Sequence, residues 1–434
     1  MTRMQHVGYF FSRGFGPQAW GRADWHWGHD WTKPELYQQS VRALEDAGLD
    51  LVIAEDAFSL GNPSTLDLRI RQAYGGPKHD PLLLAPWLFA ATRHIGIAPT
   101  VNAGVTPPYL AARQLATLAH LSSDRLGVNV VTDVGSARHA GLDPLPHDAA
   151  YDRAEEWMGL LRRLWHSWGS GHLQSESDWH FADGTELDAF QHDGEFFRTA
   201  GPLNALPLES DPVVVSPGGS GRGLGFAGTH SDVQLALAPL SATAVAAYRA
   251  KVHAAAAEVG RRPEDLRVLF VLKPVVASSP EEADRIVEAS RHPSDEALRT
   301  VALAWSSDSE TDLLALDLDA PIPEGTFADH VSAGTVRGLL GDTPDAPLRE
   351  LLTRKAQLGR VADRTGFVGT ADEFADFIEE LGSDADNDGV ILSGDLHPAQ
   401  VYRMLGDLVP VLRQRGILRR EYGAGGLRSN LFDF

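Results

Sequence analysis

Short apolar runs alternate with longer amphipathic segments along most of the chain. Eight runs predict buried strands, at residues 6–11, 49–55, 95–101, 126–131, 213–216, 232–237, 266–276 and 389–392. Segments with apolar residues at helical spacing lie between and after these runs. They predict helices at residues 34–47, 81–93, 107–121, 150–168, 222–230, 242–259, 371–381 and 398–415, with another that begins near Pro280. The pattern is therefore a repeated strand-then-helix unit.

Eight such units are what a (β/α)8 barrel requires, and near-continuous apolar strands are typical of a parallel sheet that is buried on both faces. A doubly wound sheet is the alternative. It needs fewer strands and usually has a glycine fingerprint after the first strand, whereas the glycine-rich turn here follows the fifth. We therefore predict an α/β fold of the TIM-barrel class. A single domain covers residues 1–434, with insertions after strands 4 and 7 at about residues 169–211 and 292–365.

The turn after the fifth predicted strand has the sequence Pro217-Gly218-Gly219-Ser220-Gly221 and precedes a helical segment. Amides in the first turn of a helix lack intrahelical partners and lie at the positive end of the helix dipole, so this turn is suited to binding a phosphate. Glycine lets the backbone come close to the anion. The same pattern also fits a strand-to-helix connection that binds nothing.

Active sites of such barrels lie at the carboxyl ends of the strands. The polar residues expected there are Asp56, Asn102, Thr132, Asp133, Ser216, Ser220, Ser393, Asp395 and His397. The loop after the first strand, residues 20–31, adds four tryptophans and two histidines. Because so many aromatic rings are costly to leave in water, we expect the loop to cover the barrel mouth, to form a wall of the substrate pocket, or both.

Composition narrows the possible partners and chemistry. A formal net charge of -21 argues against nucleic acid and anionic membranes, and no run reaches the roughly 18 apolar residues of a membrane span. We expect a cytoplasmic protein. The absence of cysteine excludes disulfides, thiolate metal sites and a cysteine nucleophile. The chain has no HExxH motif, so we predict no metal ion, and Arg222 stands where a GxSxG serine-hydrolase elbow needs glycine.

Several segments carry a resemblance to a known family. They are HLSSDRLGVNVVTD (120–133), HDAAYDRAEEW (147–157), HDGEFFRTAGPLN (192–204), the glycine turn with its helix, VGTADEF (368–374) and VPVLRQRGILRREYGAGGLRSNLF (409–432). In order and spacing they resemble flavin-dependent monooxygenases of the bacterial-luciferase superfamily. The branch concerned contains the nitrilotriacetate, EDTA, dibenzothiophene-sulfone and long-chain alkane monooxygenases. The resemblance extends over nearly the whole chain.

The resemblance implies a barrel that uses reduced FMN from a separate NAD(P)H-dependent flavin reductase, with O2 as co-substrate, to oxidise or cleave a small organic compound. Riboflavin lyase, which cuts the ribityl side chain from its substrate, is an alternative within the family. The expected assembly is a homodimer or homotetramer. The positions where this family binds the flavin are Asp56, Asn102, Thr132, Tyr151, Gly218, Gly219 and Ser220, with Gly219 and Ser220 at the phosphate.

The chain departs from the family pattern near the fourth strand. The family commonly has Trp before the Asn-Val-Val-Thr run and Ser after it, whereas Val128 and Asp133 stand there in this sequence. A carboxylate at a strand end can accept a substrate N–H or O–H or act as a base, so Asp133 is a catalytic candidate. His26 and His29 are further catalytic candidates, and His397 is another acid/base candidate, because imidazole titrates near neutral pH. The tryptophan loop favours an aromatic or heteroaromatic substrate, and the competing class is a non-catalytic flavin- or sugar-phosphate-binding barrel.

Overall fold

A computed structural model describes residues 3–11, 30–60, 66–67, 70, 77–169, 184–309, 311–327, 331, 333–361, 366–394 and 398–433. Its strands, in chain order, are β1 (His6–Phe11), β2 (Leu51–Ala54), β3 (Gly96–Asn102), β4 (Gly127–Val131), β5 (Gln191–Asp193), β6 (Arg198–Ala200), β7 (Val213–Pro217), β8 (Val233–Ala236), β9 (Arg267–Leu272), β10 (Pro274–Val276), β11 (Phe367–Gly369) and β12 (Gly389–Gly394). Eight of them close into a parallel barrel in the order β1-β12-β9-β8-β7-β4-β3-β2. The predicted (β/α)8 barrel is confirmed.

The helices surround the barrel and fill the longer connections. They are α1 (Pro34–Asp46), α2 (Pro81–Ala91), α3 (Pro108–Ser122), α4 (His147–Trp165), α5 (Gly221–His230), α6 (Ala242–Glu258), α7 (Pro280–Arg291), α8 (Asp295–Ser309), α9 (Ala333–Leu340), α10 (Leu348–Ala356), α11 (Ala371–Asp384), α12 (Pro398–Arg415) and α13 (Leu427–Phe432). No helix within the described ranges is long and apolar enough to span a bilayer.

The predicted seventh strand, residues 266–276, is wrong in its second half. Strand β9 stays in the barrel, but β10 leaves it and pairs in parallel with β11. Pro274 stands at the break, and proline has no amide with which to continue the ladder. The insertion after this strand also contains α8, α9 and α10, which pack around a small core of their own. The extent of the single domain and of its insertions stays a prediction.

Side chains alternate between the inside and the outside of the barrel. The inner cluster consists of Leu51, Ile53, Ala98, Val213, Val215, Val233, Leu235, Leu269, Ile391, Leu427 and Leu431. Its last two members belong to α13. A β-carbon added to Gly96 or Gly127, the first residues of β3 and β4, would collide with or press on the Leu427 side chain. Helix α13 therefore closes the amino end of the barrel, and the carboxyl ends of the strands form the open mouth.

Three aspartates repeat one arrangement around the barrel. Each directly precedes a strand, accepts the amide of the second residue of the neighbouring strand at 2.8–2.9 Å, and pairs with an arginine. The sets are Asp50 with Val7 and Arg419, Asp232 with Val214 and Arg428, and Asp388 with Val268 and Arg249. Since all three lie at strand beginnings, these ion pairs hold the amino end together and leave the mouth to other residues.

Candidate active site

The glycine turn lies between β7 and α5, as predicted. Gly218 has a φ of +131°, a conformation that side chains with a β-carbon rarely adopt. Ser220 is the N-cap of α5, and its hydroxyl accepts the Gly223 amide at 3.1 Å. The amides of Gly221 and Arg222, the first two helical positions, have no intrahelical acceptor. The turn therefore has the local structure that an anion site needs.

Two side chains that the sequence did not indicate hold the carbonyl of Gly218. The amide of Gln234 on β8 donates to it at 2.8 Å, and the hydroxyl of Tyr248 on α6 donates at 3.3 Å. Burial raises the pKa of Tyr248, so this hydroxyl keeps its proton. Neither residue could be predicted from the sequence, because both come from later elements and meet the turn only in the folded barrel.

Tyr151 packs against the same turn from α4. A β-carbon added to Gly218 would lie 3.0 Å from the Tyr151 hydroxyl oxygen, and one added to Gly223 would lie 2.9 Å from it. At Gly219 the space is larger, since the nearest atom to an added β-carbon would be the Tyr248 hydroxyl at 3.8 Å. The predicted cofactor residues Tyr151, Gly218, Gly219 and Ser220 are thus brought together.

Asn102 joins the ends of β3 and β4. Its side-chain amide donates to the carbonyl of Asp133 at 3.0 Å, and its side-chain oxygen accepts the Gly104 amide at 2.8 Å. Asn102 is buried and Thr132, directly after β4, is half-buried. These two predicted cofactor residues therefore share one edge of the mouth.

The carboxylate of Asp133 is already hydrogen-bonded within the chain. Its Oδ1 accepts the amide of Gly135 at 2.9 Å, and its Oδ2 accepts the hydroxyl of Ser136. The side chain is exposed and caps the turn that follows β4. The catalytic role of Asp133 stays a prediction. The structure adds a second role, because the carboxylate holds the turn through these two hydrogen bonds.

Asp56 lies after β2 in a group of charged residues. Lys78, from the segment before α2, pairs with Glu55 at 2.6 Å. Burial raises the pKa of the half-buried Asp56 carboxyl to about 6, with Lys78 acting against this rise and Glu55 and Asp80 adding to it. A carboxyl that titrates near neutral pH at a barrel mouth is typical of a functional site.

The other catalytic candidates, His26 and His29, lie outside the described residues, as do most of the tryptophan loop, Asp395 and His397. Of the loop, Asp30 and Trp31 are described, and the Trp31 carbonyl accepts the Tyr37 hydroxyl at 2.6 Å. In the described part of the chain, His, Asp and Glu side chains form no cluster of three that could hold a metal ion. The prediction of no metal remains a prediction.

The family model of the luciferase-like monooxygenases matches residues 26–385. The chain belongs to the luciferase-like monooxygenase family. Family membership makes it an oxidoreductase and confirms the resemblance that its motifs carry. The match begins inside the tryptophan loop and ends before β12. It therefore covers the glycine turn and the carboxyl ends of β3 and β4.

Similar luciferase-like monooxygenases share most of their length with this chain. The dibenzothiophene-sulfone monooxygenase of Rhodococcus erythropolis (strain XP) is 31% identical over 452 residues, which cover 99% of this chain and 96% of that protein. Nitrilotriacetate monooxygenase component A of Aminobacter aminovorans is 30% identical over 421 residues, covering 93% and 90%. A crystal structure of riboflavin lyase with modified FMN and the substrate riboflavin superposes with a TM-score of 0.82 at 25% identity, covering 100% of this chain and 96% of that one.

The raised pKa of Asp56 predicts a stability effect in this luciferase-like monooxygenase. The carboxyl holds its proton up to about pH 6 in the folded chain but loses it near its ordinary value of 3.8 when unfolded, so stability falls as the pH rises through this window. We therefore expect Asp56→Asn to raise the melting temperature at about pH 8 and to change it little at about pH 4. Thermal unfolding at both pH values tests this, with the exposed Asp193→Asn as control. An equal shift at both pH values would contradict it.

Proposed function

We propose that this chain is the oxygenase component of a two-component monooxygenase. It receives reduced FMN from a separate NAD(P)H-dependent flavin reductase and uses O2 to oxidise or oxidatively cleave a small, heteroaromatic organic substrate. The observation that carries the proposal is the glycine turn of Gly218–Ser220, placed at the barrel mouth of a luciferase-like monooxygenase. Reduced FMN supplies the activation of O2, and the chain supplies binding, orientation and proton transfer.

The residues at the mouth fit a phosphorylated flavin. Gly219 leaves room for close backbone approach, and Ser220 and the first amides of α5 offer donors to a phosphate. Asp56 follows β2, Asn102 ends β3, Thr132 follows β4 and Tyr151 lies on α4, so these residues belong to the side of the barrel that adjoins the turn. In this proposal Gly219 and Ser220 bind the phosphate, and the other four line the pocket for the rest of the cofactor.

Apolar side chains at the mouth support a planar substrate. Leu237, directly after β8, is 77% exposed, and Phe10 and Val271, which pack against the inner cluster, are only partly buried. Such surfaces can contact the faces of an aromatic ring, and ligand pockets are usually lined in this way. Two of the three similar proteins described above are named for, or contain, an aromatic compound of this class, dibenzothiophene sulfone and riboflavin, whereas the third acts on nitrilotriacetate.

Oxygen consumption tests the proposal directly. The protein is supplied with FMN, NADH and a flavin reductase, and O2 uptake and products are compared with and without dibenzothiophene sulfone or riboflavin. A substrate-dependent, stoichiometric product supports a monooxygenase, and loss of the ribityl chain from riboflavin supports the lyase alternative. FMN binding without any product from a panel of heteroaromatic compounds would contradict the proposed substrate class and favour the competing class, a non-catalytic flavin-binding barrel.

The same assay tests Asp133. We expect Asp133→Asn to lower turnover by about a hundredfold or more, because an amide cannot act as a base. The melting temperature should change little, since asparagine keeps an oxygen that can accept the Gly135 amide. Ser136→Ala, which removes the other hydrogen bond of the turn, is the matched control. Normal turnover in Asp133→Asn would restrict this residue to its role in the turn.

The outer face of α2 supports the expected homo-oligomer. Leu83 is 71% exposed and Trp87 54% exposed, and Pro86 and Ala90 are exposed between and after them. This helix stripe is entirely apolar, which is typical of a surface that a partner covers. A two-fold axis would place the same stripe of a second copy against it, so we propose a dimer or a tetramer built from this contact.

Replacing both large residues of the stripe should separate the subunits. We expect Leu83→Glu combined with Trp87→Glu to give the monomer mass in size-exclusion chromatography with light scattering, because like charges would face each other across the contact. Val259→Glu, at another exposed apolar position that follows α6, should leave the mass unchanged. An oligomer that survives the double substitution would exclude this face.

A further inference from the structure

We propose that Gln234 is a positioning residue that directs the glycine turn toward a phosphorylated flavin and makes the site selective for FMN over riboflavin. The inference rests on the proposed function and adds a residue to which neither the motifs nor the family resemblance points. Gln234 lies on β8 with no exposed surface, and its amide donates to the Gly218 carbonyl at 2.8 Å. Because this side-chain amide is fully buried and donates a hydrogen bond to a carbonyl of the turn, it fixes the position of that carbonyl.

The bond to Gln234 fixes the peptide plane between Gly218 and Gly219. In a trans peptide the carbonyl oxygen and the following N–H point in opposite directions. Because the Gly218 oxygen is directed at Gln234, the Gly219 N–H is directed away from β8. Both residues are glycines, and glycine has the conformational freedom that lets a peptide turn over at low cost. Without a hydrogen bond from another element of the fold, the N–H of Gly219 would have no fixed direction.

A chain of buried side chains holds Gln234 in turn. The Ser216 hydroxyl donates to the side-chain oxygen of Gln234 at 3.3 Å and lies 2.7 Å from the Ser231 hydroxyl. Since the oxygen of Gln234 is occupied by Ser216, its NH2 group is the end that faces the turn. Tyr248 donates to the same carbonyl of Gly218 at 3.3 Å. We refer to the side chains of Ser216, Ser231, Gln234 and Tyr248 together as the clamp. Ser216 lies on β7, Ser231 directly after α5, Gln234 on β8 and Tyr248 on α6, so the clamp forms only when these elements have packed together.

We expect the clamp to affect the selectivity for FMN over riboflavin rather than the affinity for flavins in general. FMN and riboflavin share the ring and the ribityl chain and differ only in the terminal phosphate. An amide that faces the phosphate contributes a charge-assisted hydrogen bond to FMN and nothing to riboflavin. Loss of the clamp should therefore weaken the binding of one ligand and spare the other.

The test compares two glutamines that make the same kind of bond. Gln234→Met removes the amide at nearly constant volume, and Gln38→Met does the same on α1, where the Gln38 amide donates to the Trp87 carbonyl at 3.0 Å. Dissociation constants of reduced FMN and reduced riboflavin are measured anaerobically on the full chain. We expect Gln234→Met to raise the FMN constant about tenfold and the riboflavin constant less than about twofold. Gln38→Met should change neither.

An unchanged FMN constant in folded Gln234→Met, or an equal rise for both ligands, would overturn the inference. If that variant does not fold, two other variants test the clamp. Tyr248→Phe removes the hydrogen bonds of the Tyr248 hydroxyl to the Gly218 carbonyl and to the Gln234 amide, and Ser216→Ala removes those of the Ser216 hydroxyl to Gln234 and Ser231. Each should raise the FMN constant by about two- to threefold and leave the riboflavin constant unchanged. No change in either variant also overturns the inference. A wild-type protein that binds neither ligand would refute the proposed function itself. A wild-type protein that binds both ligands equally well would leave the proposed function standing and overturn only the inference about Gln234.

Discussion

Replacing Gly219 with leucine is expected to weaken the binding of FMN by about a hundredfold or more while riboflavin binding changes little. The added side chain would occupy the space through which the backbone approaches the phosphate. It should not disturb the fold, because a β-carbon at Gly219 meets no protein atom closer than 3.8 Å. Titration of the variant with each ligand, followed by flavin fluorescence, gives the two dissociation constants.

Gly225→Leu is the matched control for this substitution. Gly225 lies on α5, the helix that follows the turn, and an added β-carbon there meets nothing within 4 Å. Both variants therefore add the same side chain into open space, but only Gly219 belongs to the turn. Equal losses of FMN and riboflavin in Gly219→Leu would remove the turn from the phosphate site, and a loss of FMN binding in Gly225→Leu would point to a change in the helix as a whole.

The second large effect concerns stability at the other end of the barrel. We expect Asp388→Ala to lower the free energy of unfolding by about 3–5 kcal/mol, because it leaves the buried Arg249 without its main partner and the Val268 amide without an acceptor. Asp232→Ala should cost less, about 1–3 kcal/mol, since the side chain of its partner Arg428 is 42% exposed and can be hydrated. Denaturant unfolding of both variants measures the difference.

This pair of variants separates two contributions to stability. Each aspartate accepts one strand amide at nearly the same distance, 2.9 Å for Asp388 and 2.8 Å for Asp232, so the backbone part of the loss is matched. What differs is the exposure of the arginine, 8% for the side chain of Arg249 against 42% for that of Arg428. Equal losses would mean that the strand amide, and not the buried charge, dominates. Flavin binding by the folded fraction should be normal in both, because these residues lie away from the mouth.

The parts of the fold that could be predicted depend on local sequence. The apolar run of β1 was predicted with its observed bounds, and the helix after the glycine turn was predicted from residue 222, one position after its observed start at Gly221. At Pro274 the apolar pattern alone does not show where the barrel strand ends. The apolar pattern continues through it, so the sequence predicts one strand, but the missing amide ends the barrel ladder there.

The candidate site was predicted where its residues are marked by strand ends, and missed where contacts join distant segments. Asn102, Thr132 and the turn were found because each follows an apolar run. Gln234 gives no such signal, since it is one polar residue inside a buried strand and its partner Gly218 precedes it by 16 positions. Asp133 was correctly placed after β4, but hydrogen bonds of its carboxylate to Gly135 and Ser136 could not be read from its position alone.

The pairing of β1 with β12 has a consequence for synthesis on the ribosome. The barrel is closed by β1 and β12, which pair from His6 with Gly389 to Phe11 with Gly394, and its amino end is filled by α13, which follows β12 in the chain. A nascent chain that has not yet emerged beyond residue 389 therefore holds β1 and β9 as unpaired sheet edges, and such edges associate readily with other chains. We therefore expect a chaperone that binds nascent polypeptides to associate with this chain most strongly before β12 has left the exit tunnel.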